Sequence, residues 1–209
     1  LQEIQECRAG ARGARHPISV MIPLNLRNIL PSGTMRNFFL TLNPLLDTRL
    51  GHYELEEIAE KVHHFMRTQL DHRHLSQQIS RNVRGTVHPL IRLAPLFVKN
   101  IALESIYRDY GESRFSGSLS NIGRFTLPGP LQELVEGVTF VPPPSPVLKK
   151  KCGVVSYGGS LTVSFGSLIE ETALERLFFT RLRREGIPVR LEGNWKGGGI
   201  SCPTVPTAE

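Results

Sequence analysis

His63 and His64 stand side by side, and His72 and His74 stand two apart, so the imidazoles are the first candidates for chemistry in this sequence. On a helix, neighbours diverge by about 100° and i, i+2 pairs by about 200°, so neither pair aims two rings at one metal ion. The useful i, i+4 spacing holds no second His or Cys, and no metal site is read here. Cys7, Cys152 and Cys202 are odd in number, widely spaced and free of CxxC. That pattern implies neither a disulfide framework nor a thiolate zinc site and fits a reducing cytoplasm. GxSxG, GxGxxG after a strand, and GxxxxGK are all missing, which removes three common enzyme readings.

What stands out instead is a set of polar residues inside apolar strand-like runs: Asn25 and Arg27 in PLNLR, Arg36 and Asn37 in MRNFF, Ser120 and Asn121 in SLSNIG. A buried amide or guanidinium is costly without hydrogen bonds, so such groups either satisfy loop carbonyls or face a ligand channel. Lys149, Lys150 and Lys151 are point charges suited to phosphates or to a solvated strand end. The net charge is +6, from 25 basic against 19 acidic residues, with a pI near 9.5. The arginines are scattered, and no aromatics interleave with the dense runs at 149–151 and 181–184. Stacking platforms for nucleic acid are therefore not expected.

These residues need elements to position them. Residues 18–26 read as a buried strand in which Pro23 argues for an edge or a bulge. Residues 35–46 read as a second strand closed by Asn43 and Pro44. Leu55, Ile58, Ala59, Val62, Phe65, Met66 and Leu70 form one helical stripe. A second helix spans 96–110, started by Pro95 and ended by Gly111 in a left-handed C′ conformation. Strands follow at 116–125 and 138–141, then a stiff proline run. Gly158 and Gly159 join strands 152–157 and 161–165 as a hairpin. Thr172 with Glu175 has capping-box spacing ahead of a helix stopped by Gly186 and Pro188, and a last strand covers 187–192. The order β, β, α, α, β, β, hairpin, α, β describes one α/β domain with a mixed sheet. With 40% hydrophobic residues the chain is ordinary globular material, and no apolar run reaches the ~18 residues of a membrane span.

The succession PLNLR, TMRNFF, SLSNIGRFTLP, CGVVSYGGSLTVSF and LERLFFTRLRREGIPV resembles the C-terminal half of bacterial alcohol acetyltransferase-like proteins. These belong to the CoA-dependent acyltransferase superfamily, with chloramphenicol acetyltransferase and the condensation domains of nonribosomal peptide synthetases. The resemblance covers residues 18–194. It implies a chloramphenicol acetyltransferase-like two-layer sandwich, a mixed β-sheet with helices packed on one face. Residues 1–17 would be the remnant of an interlobe connection and 195–209 a flexible tail. It also implies an active site shared with an N-terminal lobe, whose HHxxxDG histidine is the general base for attack of an alcohol or amine on an acyl thioester. The donor would be a coenzyme A or carrier-bound thioester. His63 and His64 do not match that motif, because Thr68 and Gln69 stand where its Asp and Gly belong. On this reading the chain carries no catalytic residue of its own. Asn25, Arg27, Arg36, Asn37, Ser120 and Asn121 line a substrate tunnel, Lys149, Lys150 and Lys151 meet the donor's phosphates, and an exposed lobe face favours self-association. The competing expectation is a non-catalytic binding or carrier-docking domain that keeps the fold.

Overall fold

The computed structural model describes residues 1–9, 16–87, 93 and 95–194. Its strands are β1 (Ile18–Asn25), β2 (Phe39–Leu42), β3 (Leu45–Leu46), β4 (Gly117–Arg124), β5 (Lys150–Tyr157) and β6 (Ser160–Ser167). Its helices are α1 (Gln2–Ala9), α2 (Leu55–Gln69), α3 (His72–Val87), α4 (Leu96–Tyr110), α5 (Gly129–Gln132) and α6 (Ala173–Arg184). The six strands form one open mixed sheet in the order β2, β1, β4, β5, β6, with β3 also on β1. β1, β4 and β5 run parallel, and β2, β3 and β6 are antiparallel to their neighbours. The chain is therefore α/β.

Alternation along the strands sorts the side chains into two faces. Leu40 and Leu42 on β2 share a face with Leu24 on β1, and with Leu26 and Leu75 they form the core against Phe65, Met66 and Ile79 from α2 and α3. The same face carries Phe165 on β6, whose ring centroid lies 5.6 Å from Phe178 and 5.9 Å from Phe179 on α6. Lys150 fastens that helix, with Nζ 2.6 Å from a Glu175 carboxylate oxygen and a further bond to the Glu171 carbonyl. Helices α2, α3 and α6 thus cover one face of the sheet.

The opposite face is closed over β5 and β6 by residues 140–144, which lie directly on two glycines. A Cβ on Gly153 would fall on the Phe140 carbonyl and within 2.6 Å of Pro142 Cδ, and one on Gly166 would strike the Pro142 carbonyl. The absence of side chains at these positions is what lets a backbone run against the sheet. Gly158 and Gly159, with φ of 57° and 82°, make the two-residue turn of the β5–β6 hairpin, as their sequence implies.

Several elements differ from expectation. The second strand breaks at Pro44, which has no N–H for the ladder, yet Ile22 opposite Leu42 and Ile18 opposite Leu46 preserve one register across the gap. Residues 138–141 and 187–192 are not strands, the former because that chain is part of the crossover pressed on Gly153. Gly111 has φ −82°, so it is not left-handed. It is a glycine because a Cβ there would collide with the Tyr107 carbonyl. Thr172 makes no side-chain cap, and Glu175 is engaged by Lys150; a capping box forms instead at Glu54 and Glu57 of α2.

Helices α1, α3 and the single-turn α5 are additions to the expected order. α1 docks on residues 48–53: Gln2 is buried, its amide donating to the Tyr53 carbonyl at 3.3 Å and accepting from the Tyr53 N–H at 3.4 Å. The Thr48 hydroxyl reaches Gln5 Oε1 at 3.1 Å. The tail at 195–209 lies outside the described residues. Among the described residues no helix is long and apolar enough to cross a membrane.

Candidate functional site

The site originates in the hydrogen-bond phase of β1. Val20 N–H donates to Pro44 and Leu26 N–H to Phe38, so even-numbered residues of β1 bond toward β2 and β3. Odd-numbered residues point their peptide groups toward β4, as the bond from Ser116 N–H to the Ser19 carbonyl at 2.7 Å shows. Pro23 is odd-numbered, so its missing N–H falls on the β4 side. The β1–β4 register ends two residues earlier, at Met21 opposite Ser118. The expectation of an edge strand is thereby corrected: β1 is interior, and the proline interrupts only one of its two ladders.

Beyond that point a crevice of about 300 Å³ separates the carboxyl ends of the two parallel strands. Pro23, Asn25 and Arg27 line it from β1 and the turn after it, Asn37, Phe38 and Phe39 from the entry to β2, and Ser120, Asn121 and Ile122 from β4. Crevices outside the carboxyl ends of parallel strands are where α/β sheets commonly bind ligands. A bulge shapes the β4 wall: Asn121 pairs with Val154 and Gly123 with Val155, leaving Ile122 extra. Gly123 takes φ 81°, and its N–H donates to Asn121 Oδ1 at 2.8 Å.

Five of the six residues singled out for a tunnel, Asn25, Arg27, Asn37, Ser120 and Asn121, therefore meet in one crevice although they lie up to 96 positions apart in the chain. Arg36 does not line it and contributes only its carbonyl, which accepts from Arg27 Nη2 at 2.6 Å. Arg27 also donates to the Thr34 carbonyl at 3.0 Å, and its N–H bonds to Asn25 Oδ1 at 3.1 Å. Asn25 and Arg27 thus hold loop 26–36 in place, while the side chains of Asn37 and Ser120 make no hydrogen bond to a described residue. Phe38, Phe39 and Ile122 are lining residues that polar-residue counting passes over. Pro23 is the sequence signal that could have located them.

Chemically the lining holds neutral amides, one hydroxyl, one partly engaged guanidinium and apolar walls. Such a surface orients a ligand and donates hydrogen bonds to an oxygen, but it contains no carboxylate or imidazole to accept a proton at neutral pH.

The other candidates lie elsewhere. His63 and His64 sit exposed on α2, their rings 5.9 Å apart and tilted 71°, with His64 Nε2 3.5 Å from Glu60. Thr68 bonds its hydroxyl to the His64 carbonyl at 3.0 Å. Lys149 is exposed, and Lys150 and Lys151, alternating on β5, point to opposite faces. Lys150 is held by Glu175, and Lys151 by Glu112 at 2.8 Å. Burial alone would raise the Glu112 carboxyl, but hydrogen bonds from Lys151 and Ser145, with the lysine's charge, hold it below its ordinary value. The lysines do not form a single patch of unengaged charge. Burial pushes the Cys152 thiol up to about 11, so it is a neutral thiol and a poor nucleophile near pH 7. Among the described residues no group of three or more His, Cys, Asp and Glu could hold a metal ion. Compared with protein-family models, curated proteins and solved structures, the chain matches none.

Proposed function

We propose that this chain is one wall of an acyl-transfer site, a lobe that binds an acyl thioester or its acceptor alcohol or amine in the β1–β4 crevice. The catalytic histidine, in this proposal, belongs to an N-terminal lobe. The observation that carries the proposal is the convergence of Asn25, Arg27, Asn37, Ser120 and Asn121 on one crevice at the ends of parallel strands. Neutral donors and a guanidinium suit a thioester carbonyl and the oxyanion that forms when it is attacked. A base must come from outside the lining, which fits the two-lobed acyltransferase that the sequence resembles. Met35, Phe39 and Ile122 are exposed in the crevice wall or the loop beside it, as expected of a surface that a second lobe covers.

The test is reconstitution. Co-expression with the coding segment directly upstream should give a complex that consumes acyl-CoA when an alcohol or amine is supplied, and Ser120→Ala should lower kcat/KM. A folded complex that turns over no thioester with any acceptor overturns the proposal. The lack of a proton acceptor in the crevice also suits a second reading, a domain that binds a carrier or ligand without chemistry. An upstream frame lacking HHxxxDG would favour that one.

A further inference from the structure

Two of the amides in the β1–β4 crevice have their orientation fixed by the backbone. Asn121 Oδ1 accepts from the Gly123 N–H at 2.8 Å, and Asn25 Oδ1 accepts from the Arg27 N–H at 3.1 Å. An N–H can be met only by the oxygen end of a carboxamide, so neither side chain can be flipped without losing its bond. In each residue the accepting end is engaged within the chain, and the Nδ2 end, which only donates, is what remains for a ligand. The Ser120 hydroxyl and the Asn37 amide beside them make no hydrogen bond to a described residue, and both can donate. Among the described lining residues Arg27 is the one cation; its Nη2 bonds to the Thr34 and Arg36 carbonyls, neither of which neutralises it. The side chains therefore offer donors under a single positive charge, next to Phe39 and Ile122, which are both more than half exposed.

We propose that the crevice takes the carboxylate of a small organic acid, the Nδ2 groups of Asn25 and Asn121 meeting its oxygens and Phe39 and Ile122 its apolar body. The inference rests on the reading of this crevice as the ligand site of an acyl-transfer lobe and narrows it: the acceptor is a hydroxy or amino acid, not a plain alcohol or amine. A carboxylate accepts through both oxygens and asks nothing of the Oδ1 atoms that the turns already use. An ammonium group would meet the donating end of both amides and the charge of Arg27. A phosphate dianion calls for more cations than one guanidinium, and Lys150 and Lys151 are held elsewhere by Glu175 and Glu112. The volume of about 300 Å³ is at the low end for ligand pockets, so the acid is small.

Proton–nitrogen correlation NMR of the 209-residue chain, following the side-chain amide signals during titration with phenylacetate, phenethylamine or inorganic phosphate, tests the proposal. Phenylacetate should shift the Asn25 and Asn121 signals with a dissociation constant of about a millimolar, and the amine and phosphate should bind at least about tenfold more weakly. Asn25→Asp and Asn121→Asp each keep an oxygen for the turn N–H while replacing the donating end with negative charge, so each should weaken phenylacetate binding about tenfold or more. No saturable shift with phenylacetate, amine or phosphate binding as tight as phenylacetate, or folded aspartate variants that bind it as well as the parent would each overturn the proposal. The comparison of probes on the parent chain decides the matter even where a variant fails to fold. The assay needs no second lobe, so the two failures separate. Turnover of plain alcohols by the reconstituted complex without phenylacetate binding sinks this inference alone, and phenylacetate binding in a complex that consumes no thioester sinks the acyl-transfer reading alone.

Discussion

Gly153 and Gly166 illustrate how a missing side chain determines where a backbone lies. Both sit under residues 140–144, so Gly153→Ala should force the crossover off the sheet and cost about 1–3 kcal/mol as overpacking, read from the urea midpoint. Gly33, with open space around it, serves as the comparison, and Gly33→Ala should stay within about 0.5 kcal/mol of the parent. His52 predicts a pH effect. A hydrogen bond to Glu6, 2.9 Å from Nδ1, raises its pKa, with further help from the charges of Glu6, Glu54 and Glu3. A raised value means that the bond's contribution is complete below the unfolded pKa of about 6.5 and fades as pH climbs through the folded one. Amide exchange in α1 should therefore quicken as pH rises above about 6.5 by more than its intrinsic rate, and His52→Gln should abolish the excess.

The Asn, Arg and Ser residues of the crevice were legible as types out of place in strands, but their purposes were not. That Arg27 binds the Thr34 and Arg36 carbonyls depends on where loop 26–36 folds back, which no local pattern encodes. Nor were they deeply buried: Asn25, Asn37 and Asn121 are exposed.

At the scale of elements, Pro23 makes the sharpest prediction. Pro23→Val returns an N–H on the side facing β4 and allows the ladder to continue toward Ser120. The new amide should be protected from exchange, and ligand binding in the crevice should weaken as its walls approach. An unprotected amide at position 23 of that variant, with the crevice unchanged, would show that something other than the missing donor holds the strands apart. The elements themselves were largely readable. The helices at Leu55–Gln69 and Leu96–Tyr110 and the glycine-turn hairpin follow from apolar spacing and turn chemistry. α3 escaped because its sequence, HRHLSQQISRNVRGTV, carries only Leu75, Ile79, Val83 and Val87 among many polar residues, a stripe one residue wide that is easily passed over until Leu75 is seen in the core. The strand at 187–192 has alternating apolar residues but no neighbour in the sheet order, and without a partner such a pattern forms no ladder.

On the scale of the whole molecule, the mixed sheet joins segments far apart in the chain, with β1 and β4 adjacent in space though β1 ends at Asn25 and β4 begins at Gly117. A fragment ending at residue 110 would keep β1, β2 and β3 together with α2 and α3 but leave the β4 side of β1 open. Limited proteolysis should find it cut within β1 where the complete chain resists. In a cell the same arrangement dictates a schedule. A ribosome must deliver roughly a hundred residues after β1 before the strand's second neighbour exists, a wait that long-range pairings impose on folding speed. Through that interval an uncharged eight-residue ribbon from Ile18 to Asn25 stands half-zipped, the stage of the protein's life at which a chaperone would be of most use to it.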